Sequence, residues 1–181
     1  MSTHYDTLLP QQLVDKAKQV IEANRKAGLT IALAESCTGG LVGAALTEIP
    51  GASDVFLNDF VTYSNDAKLA QLGVNQEVLV TFGAVSPAVA WAMAIGALGH
   101  SEADVAVSVT GIAGPDGGTE QKPVGTVVFA KALRGDDPDN VAADQRCFED
   151  TGRGGVRLQA ALWALELLMP DARVDTLPEG P

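Results

Sequence analysis

Histidine and cysteine are scarce in this chain of 181 residues, which has two of each: His4 and His100, Cys37 and Cys147. The cysteines lie far apart and stand in no CxxC or Cys/His pattern, so no structural zinc site and no metal are expected. With His4 near one terminus and His100 at the end of a predicted helix, a Ser-His-Asp arrangement has few candidates. Basic residues are few as well: 12 Lys+Arg against 23 Asp+Glu leave a formal charge of −11. A sequence-blind hold on nucleic-acid phosphates would work against that field, and no nucleic-acid partner is expected. A small anionic ligand remains compatible, because a few local donors outweigh a net charge screened over about 8–10 Å. Long apolar runs are also missing. The longest, Ala88 to Leu98, falls short of the roughly 18–20 residues that span a bilayer, so no membrane partner is expected. Met1 to Pro10 lacks a basic region followed by an apolar core, so no secretory signal is expected and the cytoplasm is the expected compartment.

What is present is 46% hydrophobic and 19% charged residues with 19 Gly, the composition of a globular α/β chain long enough for one domain with a real core. Leu13, Ala17, Val20 and Ile21 recur at helical spacing and stop at Gly28. Leu29 to Ala34 then reads as a buried strand, followed by a turn and a small-residue helix from Leu41 to Glu48. Val55 to Tyr63 reads as a second strand, ending at a Ser64-Asn65-Asp66 cap before a helix that Gly73 closes. Short helical stretches follow at Gln76 to Phe82 and from Ser86-Pro87 to Leu98, with Gly99 as the stop. Asp104 to Thr110, Val124 to Leu133 and Val141 to Phe148 read as strands, with an acidic hairpin tip at Arg134 to Asn140. Thr151 to Gly155 is expected to be a glycine turn before a helix over Val156 to Leu168. This order predicts an α/β fold with a mixed sheet covered by helices on both faces. The domain is expected over residues 10–169, between a flexible N-terminus (1–9) and a disordered tail (170–181).

Three polar clusters fall at predicted strand ends, where open α/β sheets bind ligands. In Ser36-Cys37-Thr38-Gly39-Gly40 the glycines let backbone approach a ligand, and N–H groups at the helix start can receive an anion or oxyanion. The same residues also suit a plain helix cap. In Tyr63-Ser64-Asn65-Asp66-Ala67-Lys68, Lys68 would ordinarily be a solvated charge and Tyr63 a strand-end aromatic. With only His4 and His100 as histidine candidates, however, a serine nucleophile would need a lysine or tyrosine as its activating partner. A lysine serves as a base only when neutral, which partial desolvation near a helix N-terminus favours by lowering its pKa from about 10.4. The third cluster runs from Thr110 and Gly111 through Gly114 to Gly118, a long glycine-rich loop suited to binding, and Thr110 could hold a phosphate or ribose. Arg153 and Arg157 flank the last glycine turn and could pair with a phosphate or simply be surface residues. Cys37 competes with Ser36 as nucleophile, although the favoured reading of both Cys37 and Cys147 is a small buried core residue.

Ala34-Glu35-Ser36-Cys37-Thr38-Gly39-Gly40, Phe60 to Lys68, Gly83-Ala84-Val85-Ser86, Thr110 to Gly118 and Lys122 to Val127 together resemble the CinA carboxy-terminal domain family, over roughly residues 10 to 168. The chain is similar to the stand-alone form. The resemblance implies a three-layer α/β/α sandwich that hydrolyses the carboxamide of nicotinamide mononucleotide to nicotinate mononucleotide and ammonia. It implies Ser36 as nucleophile, with Tyr63 and Lys68 as activating partners. Substrate contacts would come from Cys37, Thr38, Gly39, Gly40, Thr110, Gly111, Gly114 and Arg153. No metal or cofactor is implied, and a homodimer or higher homo-oligomer is. Relatives commonly carry Gly-Asp-Arg before the last helix, where this chain has Thr151-Gly152-Arg153. The alternative of another class is a non-catalytic nucleotide- or partner-binding module of the same fold.

Overall fold

The computed structural model describes residues 6–137, 142–149 and 151–172. His4, Val141, residues 1–5 of the expected N-terminus, 138–140 of the expected hairpin tip and 173–181 of the expected tail lie outside them.

Helix α1 (Gln11–Ala27) buries Leu13, Ala17, Val20 and Ile21 along one stripe and ends on Gly28 in the left-handed region, as its spacing predicts. Strand β1 (Ile31–Glu35) leads through the Ser36–Gly40 turn into α2 (Leu41–Thr47), and a single 3₁₀ turn precedes β2 (Phe56–Val61). Helix α3 (Asn65–Leu72) starts on Ser64, whose hydroxyl accepts from the Ala67 N–H. Helices α4 (Gln76–Phe82) and α5 (Pro87–Gly99) follow, the latter capped by Ser86 with Pro87 in its first turn. Strands β3 (Val105–Gly111), β4 (Thr126–Leu133) and β5 (Ala143–Cys147) and helix α6 (Gly152–Leu167) complete the order.

The five strands form one sheet in the order β2-β1-β3-β4-β5, with β2, β1 and β3 parallel and β4 and β5 antiparallel. This is the expected mixed sheet. Alternation along the strands sorts side chains by size. Ile31, Leu33, Val105, Val107, Val109, Val127 and Phe129 face a core shared with α1, α2 and α6. Ala32, Ala34, Ala106, Val128, Ala130 and Ala132, mostly alanine, face α5 and its Val89, Ala90, Met93, Ala94 and Ala97. Small side chains on both sides bring the α5 backbone close, so that the Ser108 hydroxyl donates directly to the Ala90 carbonyl at 2.6 Å.

Two expectations are corrected. Helix α6 starts at Gly152, not Val156, so Arg153, Gly154 and Gly155 form its first turn. Glycine disfavours helix, but Arg153 pins this turn by donating to the Gly114 carbonyl and the Tyr63 hydroxyl. Cys147, read as a core residue, is exposed at the end of edge strand β5, while Cys37 is buried.

Candidate active site

The parallel strands β1, β2 and β3 end on the same edge of the sheet, which gathers the three polar clusters around a cavity of about 250 Å³. That is just below the ~300–1,000 Å³ usual for small-molecule sites. Ser36 and Cys37 line it from the turn after β1, Tyr63 and Lys68 from the segment after β2, Thr110 and Gly111 from the end of β3. Ala84 and Val85, between α4 and α5, and Arg153 on α6 close the remaining sides.

Ser36 and Lys68 are 32 positions apart in sequence, and the Lys68 Nζ lies 3.0 Å from the Ser36 Oγ. Nζ also donates to the Thr62 carbonyl at 2.7 Å. Lys68 is 1% exposed and Ser36 8%. The ordinary reading of Lys68 as a solvated helix charge is thereby overturned: α3 packs on α5 and turns this side chain inward beneath the end of β2. Burial pushes the Lys68 pKa down from its ordinary value, because the ammonium form loses its hydration. In the neutral form one N–H holds Thr62, and the nitrogen lone pair is free to take the Ser36 proton.

Cys37 stands on the opposite chemical footing. Burial pushes its thiol up to about 12, with Glu35 reinforcing the shift and Lys68 and Arg157 opposing it. At neutral pH it is a thiol, and between the two adjacent candidates the geometry favours Ser36 as nucleophile.

The helix start at Gly40 differs from the expected anion cradle. Neither Ser36 nor Thr38 caps α2. Instead Glu35 turns back, fully buried, and its two carboxylate oxygens accept from the Gly40 N–H at 2.9 Å and the Gly43 N–H at 2.8 Å. The Gly39 N–H donates to the Ser36 carbonyl. These donors are therefore engaged within the protein, whereas among the described residues the N–H groups of Cys37 and Thr38 donate to no other residue. Gly39 and Gly40 adopt left-handed φ of 63° and 85°, which the turn requires.

Of the other expected contacts, the Thr110 hydroxyl donates to the Ala84 carbonyl, tying β3 to the cavity wall. Arg153 donates to the Gly114 carbonyl at 2.7 Å and to the Tyr63 hydroxyl at 2.8 Å, which puts Tyr63 and Arg153 side by side. Tyr63 is 62% exposed, and among the described residues its hydroxyl bonds to neither Ser36 nor Lys68. Thr38, Gly39, Gly40 and Gly114 lie outside the lining. Arg157 holds the Thr38 carbonyl from α6 and does not line the cavity either. Among the described residues, no three His, Cys, Asp or Glu side chains come together as a metal-binding group.

Sequence reasoning missed two residues, Glu35 and Asp59. Glu35 sits inside a quoted motif without a role, and Asp59 on β2 carries no motif at all. Asp59 lies opposite Leu33 of β1 in register, close against α2. Its only signal in the sequence is an acidic residue, next to Asn58, within a strand whose other residues are apolar.

The CinA C-terminal domain family model matches residues 14–171. The nicotinamide-nucleotide amidohydrolase PncC of Escherichia coli K12 is 49% identical over 158 residues, covering 87% of this chain and 93% of that protein. A CinA-like protein of Geotalea uraniireducens is 59% identical over 108 residues, 60% of this chain. The chain spans only 26% to 34% of the longer relatives of that kind. Among solved structures, the competence/damage inducible protein CihA of Agrobacterium tumefaciens superposes with a TM-score of 0.84 at 48% identity, covering 90% of this chain and 96% of that one.

Proposed function

This chain belongs to the CinA C-terminal domain family, and from that premise we propose that it is a nicotinamide-nucleotide amidohydrolase, converting nicotinamide mononucleotide and water to nicotinate mononucleotide and ammonia. The observation that carries the reading is the buried pair of Lys68 Nζ and Ser36 Oγ at 3.0 Å. Its support from relatives is the amidohydrolase PncC, matched over nearly its whole length.

Neutral Lys68 accepts the Ser36 proton as Oγ bonds to the carboxamide carbon. The C=O electrons move onto oxygen, where the N–H of Cys37, which lines the cavity, is the donor at hand. Lys68, now an ammonium, returns the proton to the amide nitrogen; the C–N bond breaks and ammonia leaves. Water then attacks the Ser36 ester with Lys68 again as base, freeing the carboxylate and restoring the hydroxyl. Burial serves both halves of this cycle, because a dry lysine gives its proton back readily. We assign Tyr63 and Arg153, with Thr110 and Gly111, to the nucleotide end of the substrate, Arg153 supplying a phosphate-pairing fork. We further propose a homodimer or higher homo-oligomer, as the family resemblance implies.

The test is ammonia release from nicotinamide mononucleotide by wild type and Ser36→Ala. Release by wild type and its loss in the variant are expected. Binding of the nucleotide by well-folded wild type without release would overturn the reading in favour of a non-catalytic module.

A further inference from the structure

Behind the nucleophile turn lie two carboxyl groups that the hydrolytic steps do not use. Glu35 is the last residue of β1 and is fully buried, and both its oxygens accept from the N-terminal amides of α2. Asp59 reaches the same helix from β2. A Cβ added at Gly43 would stand 2.2 Å from Asp59 Oδ2, so glycine is what lets the carboxyl lie against the helix backbone. The two carboxyls thus converge on Gly43, with the buried Asp59 Oδ1 offered no other partner, and two carboxylates brought to one residue cannot both ionise cheaply, so one retains its proton. Burial, Glu35's charge and a hydrogen bond between the two side chains push Asp59 up to about 8.

We infer that Asp59, protonated, donates to Glu35, whose carboxylate holds the Gly40 and Gly43 N–H groups, and that this one-proton pair is a positioning device that fixes the turn presenting Ser36 to Lys68. Neither residue is catalytic; both act through the turn. The chain of contacts is short. Glu35 is bonded covalently to Ser36, and its carboxylate grips the far end of the same loop five and eight residues on. Loss of the proton would put two negative charges where the helix start has two amides to offer. Of the elements around the pair, α2 and β3 carry no titratable side chain. Among the described residues, the other charged or titratable groups at this turn are Cys37, Lys68 from α3 and Arg157 from α6.

This inference deepens the amidase reading and rests on it only for its kinetic arm. Glu35→Gln keeps the shape but offers one acceptor oxygen, so one α2 amide loses its partner. Its kcat is expected to fall at least about tenfold with KM within about threefold, because the substrate-facing residues are unchanged. Asp59→Asn replaces the shared proton with an amide N–H and is expected to keep kcat near neutral pH and to lack the decline expected of wild type above about pH 8. The second arm needs no substrate: amide exchange of residues 37–43, relative to intrinsic rates, is expected to quicken in wild type between pH 7 and 9 and not in Asp59→Asn. Equal exchange in both proteins at both pH values overturns the inference, as does Glu35→Gln with wild-type kcat. If wild type releases no ammonia, the amidase reading fails alone and the exchange arm still decides. Should Glu35→Gln not fold, Asp59→Asn decides.

Discussion

Replacing Lys68 with methionine tests the centre of the proposed chemistry, because it separates what the amine does for folding from what it does for the reaction. The side chain is 1% exposed and its Nζ engages the Ser36 hydroxyl and the Thr62 carbonyl. Methionine nearly fills the volume and removes the cost of burying an amine, but leaves those two polar groups short of a partner. An unmet buried hydrogen bond costs about 1–3 kcal/mol, and relief of desolvation offsets part of it, so stability near neutral pH should change by no more than about 2 kcal/mol. Loss of a general base costs about 10²–10⁴-fold in rate, or roughly 3–5 kcal/mol of barrier. The two effects are well separated in size and differ in their pH signature. In Asp59→Asn, which lacks the decline expected of wild type above about pH 8, kcat should rise with pH as Lys68 sheds its proton and level off below the ordinary lysine value of 10.5, since burial lowers the pKa. Stability follows the same sign: between the lowered pKa and 10.5 the unfolded chain holds the extra proton, so wild type gains stability as pH rises through that window and Lys68→Met does not. Ammonia release across pH, with urea unfolding of both proteins, measures all of this. A Lys68→Met protein that folds and keeps more than about a tenth of wild-type kcat would refute the role of Lys68 as base.

Two further outcomes follow from the same geometry. Iodoacetamide at about pH 8 should label exposed Cys147 in the native protein and leave Cys37 unlabelled, since burial holds its thiol near 12; mass spectrometry of the digest reads this, and Cys37→Ala should keep kcat within about threefold. Gly96→Ala would bring a Cβ within 2.2 Å of the Leu72 carbonyl oxygen, forcing α5 from the end of α3. It should cost about 1–3 kcal/mol in urea unfolding and lower kcat as well, because α3 carries Lys68.

The chain's local punctuation is plain in its sequence. Gly28 and Gly73 close α1 and α3 in the left-handed region, and Ser64 and Ser86 cap α3 and α5, because each acts within a few residues of itself. The polar clusters after β1, β2 and β3 could be read as one site for a similar reason: parallel strands end on one edge. The burial of Lys68 could not be read, since α3 is too weakly patterned to say which way its lysine turns and only its docking on α5 decides. Glu35 was equally hidden. A carboxylate that caps a helix through residues five and eight positions on, with a partner on another strand, has no local signature. The start of α6 was misplaced because four residues with three glycines look like a turn until Arg153 is seen gripping Gly114 and Tyr63.

The alanine-lined side of the sheet has a bearing on how a ligand enters. With methyl groups on both surfaces, the Ser108–Ala90 bond beneath and the Thr110–Ala84 bond at the rim, the wall at Ala84 and Val85 is built into register with Ser36 before anything arrives. Accommodation then falls to the other bank, where Arg153 can exchange a carbonyl and a phenol for the guest's own oxygens, so that the guest takes over the pinning of the first turn of α6.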